Sequence, residues 1–244
     1  ANFSLLGVGS AFAEALGRTL YFAGVSGLVT LMIAFLLALL LDGGLKGDRR
    51  LRPVFRTLRL LYFAPSIVSF AVVAMLFSYM FRPLGVITIL GEDLLGLELR
   101  WQASYALAMP SVIVTWVWYR VGFYVLIFLA AIGALPKDYV EAAQLDGASP
   151  FRILLHIKIP LLNPVMLLAA VLKLSEDFRS FSPAYLLTGG GPGSETTVLT
   201  LRIYRDAFQQ LRVGLASAES VAMLGILLVF TLAYFRLFRR ETEY

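Results

Sequence analysis

Apolar residues run through this chain in long uncharged blocks. Thr19 to Leu41 is a run of 23 residues and Leu60 to Phe81 one of 22. At about 1.5 Å per helical residue, either run is long enough to cross roughly 30 Å of hydrocarbon. A third block, Ala103 to about Leu135, is interrupted only by Arg120. It is too short for two passes and a turn, so it predicts one long, tilted or bent span. A fourth runs from Leu161 to about Leu187 around a charged knot, and a fifth from Val213 to Phe235 with a single Glu219. The pattern predicts an all-α membrane protein: one transmembrane domain over 1–244 with spans at about 19–41, 60–81, 103–135, 161–187 and 213–235.

Composition agrees. Hydrophobic residues make up 59% of the chain and charged residues 15%, where a soluble domain carries about a quarter charged. Mean hydropathy is +0.80. The chain has no cysteine, so no disulfide, thiolate metal site or cysteine nucleophile is available. A single histidine, His156, excludes a multi-histidine metal cluster, and no metal site is expected. No charged-then-apolar-then-small pattern opens the chain at Ala1, so no signal peptide is read.

The basic residues set the orientation. Lys46, Arg49, Arg50, Arg52, Arg56 and Arg59 lie between spans one and two, Lys137, Arg152 and Lys158 between spans three and four, and Arg236, Arg239 and Arg240 after span five. The opposite side has half as many: Arg18, Arg82, Arg100, Arg202, Arg205 and Arg212. By the positive-inside rule the richer side is cytoplasmic, with the N-terminus outside and the C-terminus inside. The net charge of +5 is therefore a topology signal and not a nucleic-acid patch, because these residues flank spans.

Segment 136–160 then faces the cytoplasm, and its residues predict a helix–turn–helix. Pro136 ends span three. A short helix from Asp138 to Leu145 stops at Asp146-Gly147, where glycine adopts the left-handed cap cheaply. Ser149 is a good N-cap and Pro150 suits the first helical position, so a second helix runs to about Ile157. Pro160 opens span four. Ala142, Ala143, Gly147 and Ala148 leave the first helix nearly bald, which lets another surface approach its backbone. A plain connecting loop is the alternative.

Within span four, Lys173-Leu174-Ser175-Glu176-Asp177-Phe178-Arg179 places charges about 20 Å into the membrane. Such charges cost several kcal/mol unless they pair or face a water-filled cavity. Lys173–Asp177 at four apart, and Lys173–Glu176 and Glu176–Arg179 at three apart, can pair on one helix. Two readings stay open: structural ion pairs, or a polar cavity for substrate hydroxyls in which Phe178 or Phe181 stacks on a sugar face. Arg120 and Glu219 are the other charges placed within spans. Gly189 to Gly193 lacks the strand, the following Lys-Ser/Thr and the spacing of a nucleotide loop, and no Walker sequence occurs, so the chain is not expected to hydrolyse ATP alone.

Glu141-Ala142-Ala143, then Gly147-Ala148, then Ile157-Lys158-Ile159-Pro160 resembles the EAA loop of binding-protein-dependent ABC importer permeases. Tyr185-Leu186-Leu187-Thr188-Gly189-Gly190-Gly191-Pro192-Gly193 is similar to the "LTGGGP" stretch in the first permease subunit of carbohydrate importers, the maltose and glycerol-3-phosphate type. The resemblance runs from about Thr19 to Arg240. It implies the type I importer permease fold, whose core has five transmembrane helices, an outside N-terminus and a cytoplasmic coupling helix. Sugar permeases of this type usually carry one more N-terminal span, which is expected upstream of Ala1.

The resemblance also assigns roles. The EAA loop docks in a groove of a cytoplasmic ATPase: Glu141 meets a basic residue there, Ala142 and Ala143 permit close contact, Gly147 sets the turn, and Ala148 and Pro160 complete the motif. Span four lines the translocation path, which favours Glu176, Asp177, Phe178, Arg179 and Phe181 as path residues; Arg120 and Glu219 join them as the other charges within spans. Gly189, Gly190, Gly191 and Pro192 contact the binding protein or close an outer gate, against a simple span-ending turn. The implied partners are a second permease subunit forming a heterodimer, two copies of the ATPase, an extracytoplasmic binding protein and membrane lipid. ATP-Mg sits in the ATPase, with no cofactor in this chain, and the location is a bacterial or archaeal cytoplasmic (inner) membrane. The chain departs from the family at Phe181-Ser182-Pro183, where Phe-Asp is frequent, and at Glu219, where an apolar residue is usual. The rival reading is a proton- or sodium-coupled secondary transporter using Glu176, Asp177 or Glu219. Against it, no internal repeat is visible and five spans do not divide into equal halves. A membrane-embedded enzyme would need a nucleophile that no histidine pair, cysteine or serine elbow supplies.

Overall fold

The structure is a computed structural model that describes residues 10–46, 52–96 and 100–238. Arg49, Arg50, Arg239 and Arg240 of the charge count lie outside the described residues. Among the described residues all regular structure is helical. In chain order the helices are α1 (Ala11–Lys46), α2 (Arg52–Phe63), α3 (Phe70–Met80), α4 (Val86–Leu95), α5 (Ala108–Gly133), α6 (Lys137–Leu145), α7 (Pro150–Ile153), α8 (Ile159–Phe178), α9 (Ser182–Thr188), α10 (Leu199–Tyr204) and α11 (Val213–Phe238).

Four stretches are long and apolar enough to cross a membrane, namely Ala11–Gly43, Ala108–Gly133, Pro150–Phe178 and Val213–Tyr234. The helix pair Pro53–Ile67 and Phe70–Met80, bent by 100°, makes a fifth crossing if the two are taken as one broken span. The span expected at 60–81 is thus broken. Pro65 sits in a short 3₁₀ turn over Ala64–Ile67, and the chain is extended at Val68. The bend is pinned to α5: Ser66 Oγ donates to the Tyr119 carbonyl at 3.0 Å, and the Tyr119 hydroxyl donates to the Val68 carbonyl at 3.2 Å. Gly122 permits this approach, since a Cβ there would overlap the Tyr62 carbonyl.

The first span begins earlier than the expected Thr19, because Glu14 and Arg18 pair one turn apart at 3.5 Å and are carried on the helix. One of its polar positions ties it to a distant helix. Thr19 donates to the Ala15 carbonyl at 2.8 Å and accepts from the Leu199 backbone N–H at 2.8 Å, tying α1 to α10.

Span four differs most from expectation. Pro160 does not open a new helix. Residues Pro150–Phe178 form one rod, in which a π turn over Leu154–Lys158 lets the Ile159 N–H reach back to the Leu154 carbonyl. The wider turn absorbs the proline that an unbroken α-helix would resist. At the far end α8 stops at Phe178, not Leu187, and α9 resumes at Ser182. Side chains bond the carbonyls of its last turn: Arg179 Nε donates to Ser175 at 3.0 Å and Ser180 Oγ to Glu176 at 2.9 Å. This is the usual need of a helix C-terminus, met inside a span.

The bundle packs α1 along α5, with α8 against both. Phe70, Trp116, Phe77 and Phe81 are buried in one core, and Ala34, Ala38, Tyr124, Phe128 and Leu162 in a second. The outer faces are apolar too: Leu28 and Leu40 on α1 and Leu224 and Val229 on α11 are all exposed. Hydrocarbon solvates such a surface at no cost.

Candidate functional site

The charged knot divides into two parts with different surroundings. Lys173 and Asp177 are fully buried and form an ion pair. Asp177 also accepts from the Trp116 indole N–H at 2.7 Å and from Ser26 Oγ at 2.9 Å. Both oxygens of the carboxylate are bonded, by donors from α1, α5 and α8. This is the arrangement a buried ion pair needs to offset its desolvation.

Glu176, one residue earlier, faces elsewhere. It pairs with Arg120 and accepts from the Tyr124 hydroxyl at 3.2 Å. The Arg120 guanidinium lies 5.0 Å from the Phe123 ring centre and 5.8 Å from those of Trp116 and Tyr119. Arg120, Glu176, Arg179, Phe181, Trp116 and Tyr119 line a cavity of about 430 Å³ beside the α8–α9 break, a volume suited to a small solute. The pairings within α8 reduce to Lys173–Asp177; Glu176 is taken by Arg120 of α5 instead.

Two residues grouped with these by sequence stand apart. Phe178 is 1% exposed and packs against Phe230 of α11, so it has no face to offer a solute. Glu219 is fully buried and accepts from Arg202 Nε at 2.7 Å, while Arg202 also reaches Asp206 at 3.4 Å. That cluster joins α10 to α11, so Glu219 lines neither the cavity nor the Asp177 site. Phe181 does line the cavity, stacked on Tyr185 at 4.8 Å.

Charge alone singles out Lys173, Asp177, Arg120 and Glu176, but not the uncharged partners Trp116, Tyr124 and Ser26. Trp116, Arg120 and Tyr124 recur every four residues on one face of α5, a spacing that was available in the sequence. Ser26 carries no local signal; it is 151 residues from Asp177.

At the other end of the Pro150–Phe178 rod, α6 and α7 form the expected helix–turn–helix. Gly147 takes φ of +76° and its N–H bonds the Gln144 carbonyl at 3.0 Å. Ser149 caps α7, accepting from the Arg152 N–H at 3.4 Å. Glu141, Ala142 and Gly147 are exposed, Ala143 and Ala148 half-buried, and Pro160 exposed. Around them Tyr139, Leu145 and Phe151 stand 54%, 91% and 68% exposed. Large apolar side chains that protrude beside charges mark a surface built to be covered.

The glycine loop is a closed turn. Gly189, Gly190 and Gly193 all have positive φ. Gly190 is buried where a Cβ would meet Arg205 and Thr197 at 2.7 Å. Its carbonyl accepts from Thr197 Oγ1 at 3.0 Å, and Arg205 binds the Gly189 carbonyl. Gly191 and Pro192 complete the turn half-buried.

Comparison with known proteins adds the following. Residues 43–243 match the family described as "Binding-protein-dependent transport system inner membrane component". The chain is similar to the "Probable ABC transporter permease protein YurN" of Bacillus subtilis, 32% identical over 236 residues that cover 95% of this chain and 79% of that protein. It is also similar to the sn-glycerol-3-phosphate transport system permease protein UgpA of Yersinia enterocolitica, 34% identical over 230 residues, 93% of this chain and 75% of that one. In fold it is similar to a bacterial ABC transporter involved in the import of the acidic polysaccharide alginate, with a TM-score of 0.86 at 24% identity over 99% of this chain and 84% of that one. The MetNI methionine ABC transporter matches with a TM-score of 0.68 at 16% identity, covering 93% of this chain and 94% of that one.

Proposed function

This chain belongs to the family of binding-protein-dependent transport system inner membrane components, and from that premise we propose that it passes a sugar or sugar-like solute through the cavity beside the α8–α9 break. The solute is delivered by an extracytoplasmic binding protein. A second permease subunit completes the path, and two copies of a cytoplasmic ATPase, which hold ATP-Mg, drive it; this chain needs no cofactor of its own. The N-terminus of the chain lies outside and the C-terminus in the cytoplasm, so α6 and α7 meet the ATPase. The relatives named for glycerol 3-phosphate and alginate support a polyhydroxylated solute.

One observation carries the mechanism. The exposed turn at Gly147 and the cavity at Glu176 sit at opposite ends of a single helical rod of 29 residues, about 40 Å long. A displacement of the turn by an ATPase is delivered to the cavity wall without passing through a loop. Glu141 offers a carboxylate for a basic residue of the ATPase, and Leu145 and Phe151 fill its groove. Asp177 holds the rod to α1 and α5, whereas Glu176 and Arg120 present charge to the solute.

Gly147→Pro and Glu141→Lys test the coupling. Proline cannot adopt φ of +76° because its ring holds φ near −65°, and the lysine reverses the charge. Both variants are expected at normal membrane abundance, with loss of ATPase co-purification and of ATP-driven uptake of glycerol 3-phosphate or maltose in reconstituted vesicles. Normal co-purification in both would end the coupling role.

A further inference from the structure

The cavity beside the α8–α9 break holds more positive charge than its own carboxylate can cancel. Among its lining residues, Glu176 is the acid and Arg120 and Arg179 are the bases. Both oxygens of Glu176 are engaged, one by Arg120 and one by the Tyr124 hydroxyl. Arg179 is exposed to the cavity and spends only Nε, on the Ser175 carbonyl at 3.0 Å. No carboxylate among the described residues pairs with it. The Arg120 Nε–H is a further buried donor with no acceptor.

The negative end of α8 offsets only about half a charge, so a net positive potential remains. At membrane depth such a charge costs several kcal/mol unless water or a counter-charge solvates it. Water can fill the cavity between transport events, and whatever displaces that water must replace its work. A neutral sugar supplies only hydroxyl dipoles. A carboxylate or phosphate meets the planar fork of a guanidinium with two parallel, charge-assisted hydrogen bonds. The half-buried rings of Tyr119 and Phe181 on the same wall cover the apolar face of a sugar ring.

We propose that the solute is anionic, a sugar or polyol bearing a carboxylate or phosphate, and that Arg179 is the specificity-determining residue that binds the acidic group. This rests on the cavity being the solute path.

Because the chain has no cysteine, Ser182→Cys places a single thiol of this subunit in the cavity wall, in a complex whose partner subunits are also cysteine-free. Its labelling is followed with two impermeant methanethiosulfonates of similar size, one bearing sulfonate and one trimethylammonium, each rate divided by that for a free thiol. The sulfonate reagent is expected to react about fivefold faster or more, as one excess unit charge at close range requires even with a screened dielectric. Arg179→Gln should bring the ratio to one or below. Glucuronate and glucose 6-phosphate at millimolar concentration should slow the labelling and glucose should not, with the difference lost in Arg179→Gln. Equal rates for the two reagents, a ratio indifferent to Arg179→Gln, or no greater protection by the acids than by glucose would each overturn the anionic assignment while the path survives. A thiol reached from neither face of the membrane, with or without ATP and vanadate, would instead remove the cavity from the path, and this proposal with it.

Discussion

Asp177→Asn separates the two halves of the charged knot. Asparagine keeps the shape of the side chain and can still accept from Trp116, while Ser26 can turn its hydroxyl to accept from the new amide. Hydrogen bonding is thus largely retained, and what is lost is the charge opposite Lys173, a side chain with no exposed surface. Leaving one partner of a buried pair uncompensated costs about 3–5 kcal/mol. At roughly 2–4 °C per kcal/mol for a chain of this size, the midpoint of thermal unfolding in detergent should fall by about 6–20 °C, and membrane abundance should drop with it. Glu176→Gln is the contrast. That side chain is 24% exposed and its partner Arg120 18%, so cavity water can reach the orphaned guanidinium and the cost should be smaller than that of Asp177→Asn. The decisive variant is Lys173→Met combined with Asp177→Asn, which removes both charges and should recover most of the loss, because a well-packed neutral pair often replaces a buried ion pair without penalty. Normal abundance and melting in Asp177→Asn alone would refute the charge argument, as would a double variant as damaged as the single one.

Two other features can be tested directly. Gly122→Val drives a side chain into the Tyr62 carbonyl; overpacking of this kind should cost about 1–3 kcal/mol or more and lower membrane abundance, whereas Gly133→Ala on the same helix, where a Cβ meets nothing within 4 Å, should be neutral. For orientation, Ala148→Cys should react with an impermeant thiol reagent only from the cytoplasmic face and Ser194→Cys only from outside; a reversed pattern would invert the topology.

Hydrophobic run length found the long apolar helices among the described residues, because it measures the one quantity a membrane imposes on all of them. It failed where the chain satisfies its polar groups locally. Glu14 and Arg18 pair across one turn of α1, so the helix continues beyond the uncharged run that begins at Thr19. The α8–α9 break is hidden in an apolar run because Arg179 and Ser180 cap the exposed carbonyls from within that run. Spacing along one helix offered three pairings for the knot, and only Lys173–Asp177 was used. The choice was made by α5, whose Trp116 binds Asp177 while Arg120, one turn on, draws Glu176 toward the cavity. Adjacent carboxylates on α8 therefore point to different neighbours, one sealed between helices and one facing water, a division that no property of either residue alone contains. The same holds for Pro160. Read alone it starts a helix, but with the π turn before it the proline lies inside a rod that joins the exposed turn at Gly147 to Glu176. One continuous helix joins the two candidate sites because it is not broken at Pro160.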